Sequence, residues 1–170
     1  ARVQAADPAG AMADLRSVYD ADPYVKAQCH QLTHVIGHAA LEKYSTVKRA
    51  FMHGDSFCWS GYYHGVVEEA IEKMGAEKVK AQANDLCSDF VAAKKYSFDH
   101  FNCVHGMGHG FMAVEELDLF ASLRDCDLLS DDWERTSCYG GVYMENIMSE
   151  VRGEKKSDYL KPDHPMYPCT

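Results

Sequence analysis

A unit of seven residues, Cys-x-x-Gly-x-x-His, recurs along this chain and constrains its fold more than any other feature. The unit begins at Cys58, Cys103 and Cys138, and the third copy ends in methionine instead of histidine. A partial copy lies further upstream, where His34 and His38 have the spacing of the two histidines of the second copy. Recurrence of this kind predicts equivalent structural elements that place cysteines and imidazoles at matching positions.

Apolar residues at three-to-four spacing indicate that these elements are α-helices. Turn-forming residues separate the apolar runs, among them Asp22-Pro23, Gly75 and Ser97–Asp99. Either Ser130 or Asp132 is expected to cap the last helix. The predicted helical segments are residues 11–19, 24–44, 46–53, 59–74, 77–94, 103–119, 120–129 and 132–152. The sequence therefore predicts an all-α fold.

The seven cysteines do not form any Cys-x-x-Cys pair, which disfavours a zinc ribbon and a thioredoxin-type dithiol. Instead, a further cysteine precedes each cysteine of the repeated unit, in the segment before it. We interpret these pairs as disulfides that staple helical hairpins, each contributing about 3 kcal/mol by restricting the unfolded chain. The predicted disulfides are Cys29–Cys58, Cys87–Cys103 and Cys126–Cys138.

Three disulfides imply an oxidising, extracytoplasmic compartment, either the periplasm or the outside of the cell. The alternative is a cytosolic protein in which all these thiols are free and buried. Cys169 is left without a partner, and we expect its partner to lie in a further segment of a longer chain.

Size and charge limit the remaining classes. A chain of 170 residues suits one domain, which we place at residues 11–160 between an N-terminal extension (1–10) and a C-terminal tail (161–170). The 17 basic and 26 acidic residues give a net charge of −9, which disfavours nucleic acid as a partner. No apolar run approaches the roughly 20 residues that a transmembrane helix needs.

The alternation of shorter and longer helices over residues 10–152 resembles the α-solenoids of the Sel1-like and tetratricopeptide classes in architecture. That resemblance implies a short solenoid-like array of stapled hairpins, although the tetratricopeptide consensus is absent from this sequence. The irregular spacing of the repeats leaves open a compact right-handed helical array. Segments 61–65 and 105–110 also resemble exported prokaryotic helical proteins rich in cysteine, histidine and glycine, and this likeness implies no activity.

The histidines form stripes, because residues four apart share one face of a helix. If equivalent helices stack with the same face inward, five imidazoles converge. The candidate metal ligands are His34, His38, His64, His105 and His109; the candidate second-shell partners or further ligands are Glu42, Glu68, Tyr63 and Met144. An imidazole-rich set of this kind suits Zn, Cu, Fe or Mn.

Glycines beside these histidines support the same hypothesis. Each should destabilise a helix interior by about 1 kcal/mol relative to alanine. That cost is tolerated where helices must approach closely or where a bound group needs room.

The remaining histidines and Glu145 are not expected to contribute to the metal site. His30 ranks below the other stripe members because it lies beside the Cys29 staple. His53, His100 and His164 fall in predicted turns and are expected to be solvated, and Glu145 is expected on a solvated helix face.

The leading hypothesis is an exported metal-binding domain, and the sequence leaves catalysis uncertain because it identifies no substrate. It contains no phosphate-binding loop, no G-x-S-x-G elbow and no His-Glu-x-x-His motif. The competing hypothesis is an interaction module that binds a peptide, another protein or another domain of a longer chain. In that case the histidines are structural.

Overall fold

Helices account for all the regular structure in the part of the chain that the computed structural model describes, namely residues 7–152, 157–161, 163–164 and 167–168. They are α1 (Pro8–Val18), α2 (Pro23–Tyr44), α3 (Val47–Phe51), α4 (Gly61–Met74), α5 (Ala76–Ala81), α6 (Ser88–Lys94), α7 (Phe98–Val114), α8 (Leu119–Cys126) and α9 (Asp132–Arg152). The predicted all-α class is confirmed. Cys169 and most of the predicted N-terminal extension lie outside the described residues.

Aspartate side chains cap the two longest helices. At α2 the Asp22 carboxylate accepts hydrogen bonds from the backbone N–H groups two and three residues on, at 2.9 and 3.2 Å, and Pro23 occupies the first helical position. At α9 the cap is Asp131, whose carboxylate makes the same two contacts at 2.9 and 3.2 Å. The prediction of Ser130 or Asp132 as the cap was therefore wrong by one residue.

The start of α7 also differs from the prediction. The segment expected to be a turn supplies the helix cap instead, because the Ser97 hydroxyl accepts a hydrogen bond from the His100 backbone N–H at 3.2 Å. The helix consequently begins at Phe98, five residues before the predicted start at residue 103. In the preceding segment, the single helix predicted for residues 77–94 is interrupted by turns between α5 and α6.

The four longest helices pack in chain order, with α2 against α4, α4 against α7 and α7 against α9. Their shared interior contains large apolar side chains that are wholly buried, including Tyr62, Ile71, Met107, Phe111 and Leu119. All three predicted disulfides are present, and the Cα atoms they join lie 5.6 to 5.9 Å apart. Within the described residues, no helix is both long and apolar enough to cross a membrane.

Glycines bring α2 and α4 into backbone contact. A Cβ atom at Gly37 would overlap the carbonyl oxygen of Tyr62, and a Cβ atom at Gly65 would overlap the carbonyl oxygen of His34. Only glycine permits this reciprocal approach, since any larger residue would push the two helices apart.

The pair α7 and α9 makes the same kind of contact. A Cβ atom at Gly108 would overlap the carbonyl oxygen of Cys138, and one at Gly141 would overlap that of His105. In the packing of the helices, Gly141 therefore corresponds to Gly65. Alignment of the repeated unit on its cysteines instead matches Gly141 with Gly61, one helical turn earlier. The alignment on cysteines, which made Met144 equivalent to His64, therefore does not describe how these helices pack.

We expect Gly37→Ala to lower the free energy of unfolding by about 2–3 kcal/mol, because the new methyl group meets backbone that cannot rotate away. The matched control is Gly10→Ala in α1, where an added Cβ atom meets nothing within 4 Å. That change should stabilise the protein by up to about 1 kcal/mol through helix propensity. Urea denaturation of both variants measures the difference, and equal effects would contradict this packing.

Candidate metal centre

Four histidines meet in the interior where α2, α4 and α7 come together. His30 and His34 lie one turn apart on α2, His64 lies on α4 and His109 lies on α7. Their exposed fractions are 1, 2, 3 and 0% respectively. One ring nitrogen from each lies within 4.8 Å of the others, and we call this group the histidine tetrad.

The hydrogen-bond partners of the two α2 imidazoles fix their tautomers. Nδ1 of His30 lies 2.8 Å from the Cys58 carbonyl oxygen, and Nδ1 of His34 lies 2.8 Å from a Glu68 carboxylate oxygen. Because both partners are acceptors, each Nδ1 carries the proton and donates it. The Nε2 atoms of the two rings are 3.1 Å apart, so if both rings are neutral their lone pairs point at each other.

The other two members of the tetrad have unsatisfied nitrogens. Nδ1 of His109 donates to the Glu145 carboxylate at 2.8 Å, which leaves its buried Nε2 as an acceptor without a partner. Both ring nitrogens of His64 are buried without a hydrogen-bond partner. Leaving a buried polar group unsatisfied costs about 1–3 kcal/mol, so such a concentration of orphaned nitrogens needs an explanation.

Burial favours the neutral form of three members of the tetrad, His30, His64 and His109. Desolvation and the nearby His34 lower the pKa of His30 to about 4, despite the bond to Cys58. Desolvation, together with repulsion from the other imidazoles, lowers the pKa values of His64 and His109 well below 6.5. Neutral imidazole is the form that binds metal ions.

Glu68 connects the tetrad to the surface through His38. Burial alone would raise the pKa of this carboxyl, but hydrogen bonds from His34 and His38, the latter at 3.1 Å, hold it well below its usual value. Burial also opposes protonation of His38, yet Glu68 and then Glu69 outweigh it and raise the His38 pKa. His38 is thus an ion-pair partner of the carboxylate at the margin of the tetrad.

His105 lies at the opposite margin. Its ring centroid is 4.7 Å from that of His64 and 5.3 Å from that of His109, and its side chain is partly exposed. Desolvation lowers its pKa to about 4, although a hydrogen bond to the Ser137 backbone acts in the other direction. Of the five histidines predicted as ligands, the structure therefore brings three into the tetrad and leaves His38 and His105 beside it.

The predicted second-shell residues have mixed positions. Glu68 contacts His34 and His38. Glu42 is exposed and lies 3.9 Å from the Lys73 ammonium group, and Tyr63 packs in an aromatic cluster with Phe51 and Phe98. Neither belongs to the clustered groups that could hold an ion. Met144 is partly exposed, and it is the next residue, Glu145, that contacts His109.

Sequence reasoning missed His30 and Glu145. His30 belongs to the same i, i+4 stripe as His34, and its position beside a disulfide cysteine was the wrong reason to rank it lower. Glu145 was expected to be solvated but is 1% exposed. A signal for its burial was available in the sequence, because Glu145 follows Gly141 by four residues and so lies on the same face of α9. Gly141 packs against α7 in the same way as Gly65 packs against α2.

His100 shows what a structural histidine looks like in this chain. It was predicted to be solvated but is wholly buried. Its Nδ1 accepts a hydrogen bond from the Tyr96 backbone N–H at 3.0 Å, so Nε2 carries the proton and donates to Glu134 at 2.8 Å. Both nitrogens are satisfied without any ion, unlike those of His64. His53 and His164 are exposed, as predicted.

The backbone before α4 is strained beside the tetrad. Cys58, Trp59 and Ser60 all have left-handed conformations, with φ values of 57, 55 and 64°. Each such residue costs about 1–2 kcal/mol, and strain of this kind concentrates at functional sites. The strained turn directs the Cys58 carbonyl oxygen at His30.

No protein-family model matches the sequence, and no curated protein or solved structure is significantly similar to it. The resemblance to Sel1-like and tetratricopeptide repeats therefore stays a prediction. A functional proposal for this chain is best based on the geometry of the tetrad.

In the presence of a chelator, we expect the free energy of unfolding to fall as the pH falls from 6.5 towards 4. Unfolded histidines gain protons near pH 6.5, whereas folded His30 does so only near 4 and folded His64 and His109 only well below 6.5. Each such group contributes up to about 1.4 kcal/mol per pH unit in that window. His38, with its raised pKa, acts in the opposite direction, but mainly above pH 6.5, where the unfolded histidine loses its proton before the folded one does. It therefore changes the slope in this window little.

Urea denaturation at a series of pH values measures this slope. His109→Gln should flatten it, because one buried neutral imidazole is removed. His53→Gln, which alters an exposed histidine, should leave it unchanged, and equal slopes for all three proteins would contradict a neutral buried tetrad.

Proposed function

We propose that this chain is an exported metal-binding domain in which His30, His34, His64 and His109 hold one divalent transition-metal ion. The observation that carries the proposal is the direction of the imidazole protons. Three of the four rings donate their outer N–H to a carbonyl or carboxylate oxygen and turn the other nitrogen inward. Histidines that bind metal ions are held in this way by a second shell of acceptors.

Among Zn, Cu, Fe and Mn, the donor set favours zinc. Four imidazole nitrogens suit Zn, Cu or Fe, whereas Mn prefers carboxylate and water oxygens. Tetrahedral zinc with Zn–N bonds of about 2.0–2.1 Å separates its nitrogens by about 3.4 Å. The 3.1 Å between the Nε2 atoms of His30 and His34 is close to that separation.

The burial of the tetrad favours a structural ion over a catalytic one. Catalytic zinc sites combine three protein ligands with an open position for water, whereas structural sites are closed by four. All four members of the tetrad are at most 3% exposed. An ion bound there would stabilise the junction of α2, α4 and α7.

The competing interaction-module hypothesis treats the tetrad as hydrogen-bonded core. His100 meets that expectation, since both of its nitrogens have protein partners. His64 does not meet it, since neither of its nitrogens does. This contrast supports a ligand in the tetrad.

The three disulfides support export, because such bonds persist in oxidising compartments and are rare in the cytosol. Periplasmic or secreted location therefore accompanies the metal-binding proposal.

We expect protein purified without a histidine tag to contain about one zinc ion per chain by elemental analysis. Removal of the ion with a chelator should lower the melting temperature, because a ligand of the native state stabilises that state. His64→Ala should abolish stoichiometric binding, whereas His53→Ala should not alter it. His100→Gln is a second control, which should lower stability but retain the ion.

These measurements also separate the two hypotheses. An interaction module with structural histidines predicts no bound ion and a melting temperature that does not respond to the chelator. That result in wild-type protein would overturn the proposal.

Glu145→Gln tests the second shell. We expect zinc affinity to fall about 10- to 100-fold with the stoichiometry unchanged, because the acceptor that orients His109 is weakened. Glu69→Gln is the matched control, since this carboxylate contacts His38 and Lys73. Competition with a chromogenic chelator measures both affinities, and equal affinities for the two variants would contradict the role of Glu145.

A further inference from the structure

Cys58 contributes two different atoms to the surroundings of His30. Its sulfur is bonded to Cys29, the residue directly before His30, and its carbonyl oxygen accepts the proton of His30 Nδ1 at 2.8 Å. The disulfide and the hydrogen bond therefore both tie Cys58 to the turn of α2 that carries this imidazole.

This disulfide is also the most accessible of the three. The exposed fractions of Cys29, Cys87, Cys103, Cys126 and Cys138 are between 0 and 5%. Cys58 is partly exposed, and the next residue, Trp59, is 72% exposed. Among the disulfide cysteines of the described residues, Cys58 therefore has the largest exposed fraction and is the one that a thiol reductant would approach first.

The turn that carries Cys58 depends on its restraints. Three successive non-glycine residues, 58 to 60, have left-handed backbone conformations, which free side-chain-bearing residues rarely adopt. When the bond to Cys29 is cut, this turn can relax to ordinary conformations. Relaxation moves the Cys58 carbonyl oxygen away from Nδ1 of His30.

We propose that Cys29–Cys58 is a redox-exchange site at which a dithiol reductant opens the disulfide and weakens the adjoining metal centre. A thiolate of the reductant attacks Cys58 Sγ, forming a mixed disulfide and releasing Cys29 as a thiolate. The second thiol of the reductant then displaces Cys58, so that two electrons and two protons pass to the chain and the reductant becomes a disulfide. The effect on the ion rests on the proposed metal-binding function, whereas the exchange itself does not.

The test uses the full chain loaded with zinc and titrated with tris(carboxyethyl)phosphine, which supplies no thiolate to compete for the ion. Alkylation followed by mass spectrometry identifies the cysteines that open, and circular dichroism checks that the helices persist. We expect Cys29 and Cys58 to be alkylated first. At that stage zinc affinity should be about 10- to 100-fold weaker, the loss typical of a missing second-shell partner.

Two double variants provide the comparison. Cys29→Ala/Cys58→Ala should have the weakened zinc affinity before any reductant is added. Cys126→Ala/Cys138→Ala, which removes a buried disulfide, should bind zinc as the wild type does. The titration of wild-type protein gives the answer even if the first variant does not fold.

Earlier opening of either buried disulfide would overturn the exchange site. Unchanged zinc affinity after selective opening of Cys29–Cys58 would overturn the coupling to the metal centre. If oxidised wild-type protein binds no zinc at all, the proposed function fails, and the order of alkylation still decides whether the exchange site exists.

Discussion

The junction of α2, α4 and α7 depends on where the imidazole protons lie. Acceptors outside the tetrad take the protons of three rings, so the inner nitrogens of those rings are acceptors that face one another. A water molecule has only two protons to donate, fewer than four inward nitrogens require. Protonation of His30, His64 and His109 is opposed by their burial and by repulsion from the neighbouring imidazoles. One divalent cation would satisfy all four nitrogens at once, as the proposed function requires.

Close helix packing is what brings these nitrogens together. Gly37 and Gly65 let α2 approach α4 until backbone atoms touch, and Gly106 lies directly against Val67 and His64 at the contact between α4 and α7. Each glycine weakens its own helix by about 1 kcal/mol. Burial of the apolar side chains around Ile71 offsets that cost. Ile71 itself packs against Gly110, where an added Cβ atom would overlap it.

Sequence periodicity predicted the helical class, most of the helix positions and all three disulfides, because each depends on local spacing. Helix ends were less predictable, since the choice of Asp131 over Ser130 or Asp132 depends on a single rotamer. The site was predicted in part. His64 and His109 follow from the repeated unit, and His34 follows from its partial upstream copy. The choice of His30 over His38 or His105 depends on how far each helix is shifted along its neighbour, which sequence spacing does not determine.

Glu145 illustrates the same limit. Nothing next to it in the sequence marks it as buried, and it reaches His109 only because Gly141 sets the depth at which α9 packs on α7. The left-handed conformations of residues 58–60 were equally unpredictable, since none of these residues is a glycine. Both features lie against the tetrad, where the Cys58 carbonyl and the Glu145 carboxylate accept hydrogen bonds from His30 and His109.

The disulfides and the tetrad stabilise different parts of the fold. Within the described residues, the three disulfides join α2 to the turn before α4, the residue before α6 to α7, and α8 to α9. None of them links the α2–α4 pair to the α7–α9 pair. The tetrad does span that boundary, because three of its imidazoles come from the first pair and His109 comes from the second. A bound ion would therefore act as the cross-link that the cysteines leave out, and its loss would loosen the boundary between the two pairs while each stapled hairpin stayed intact.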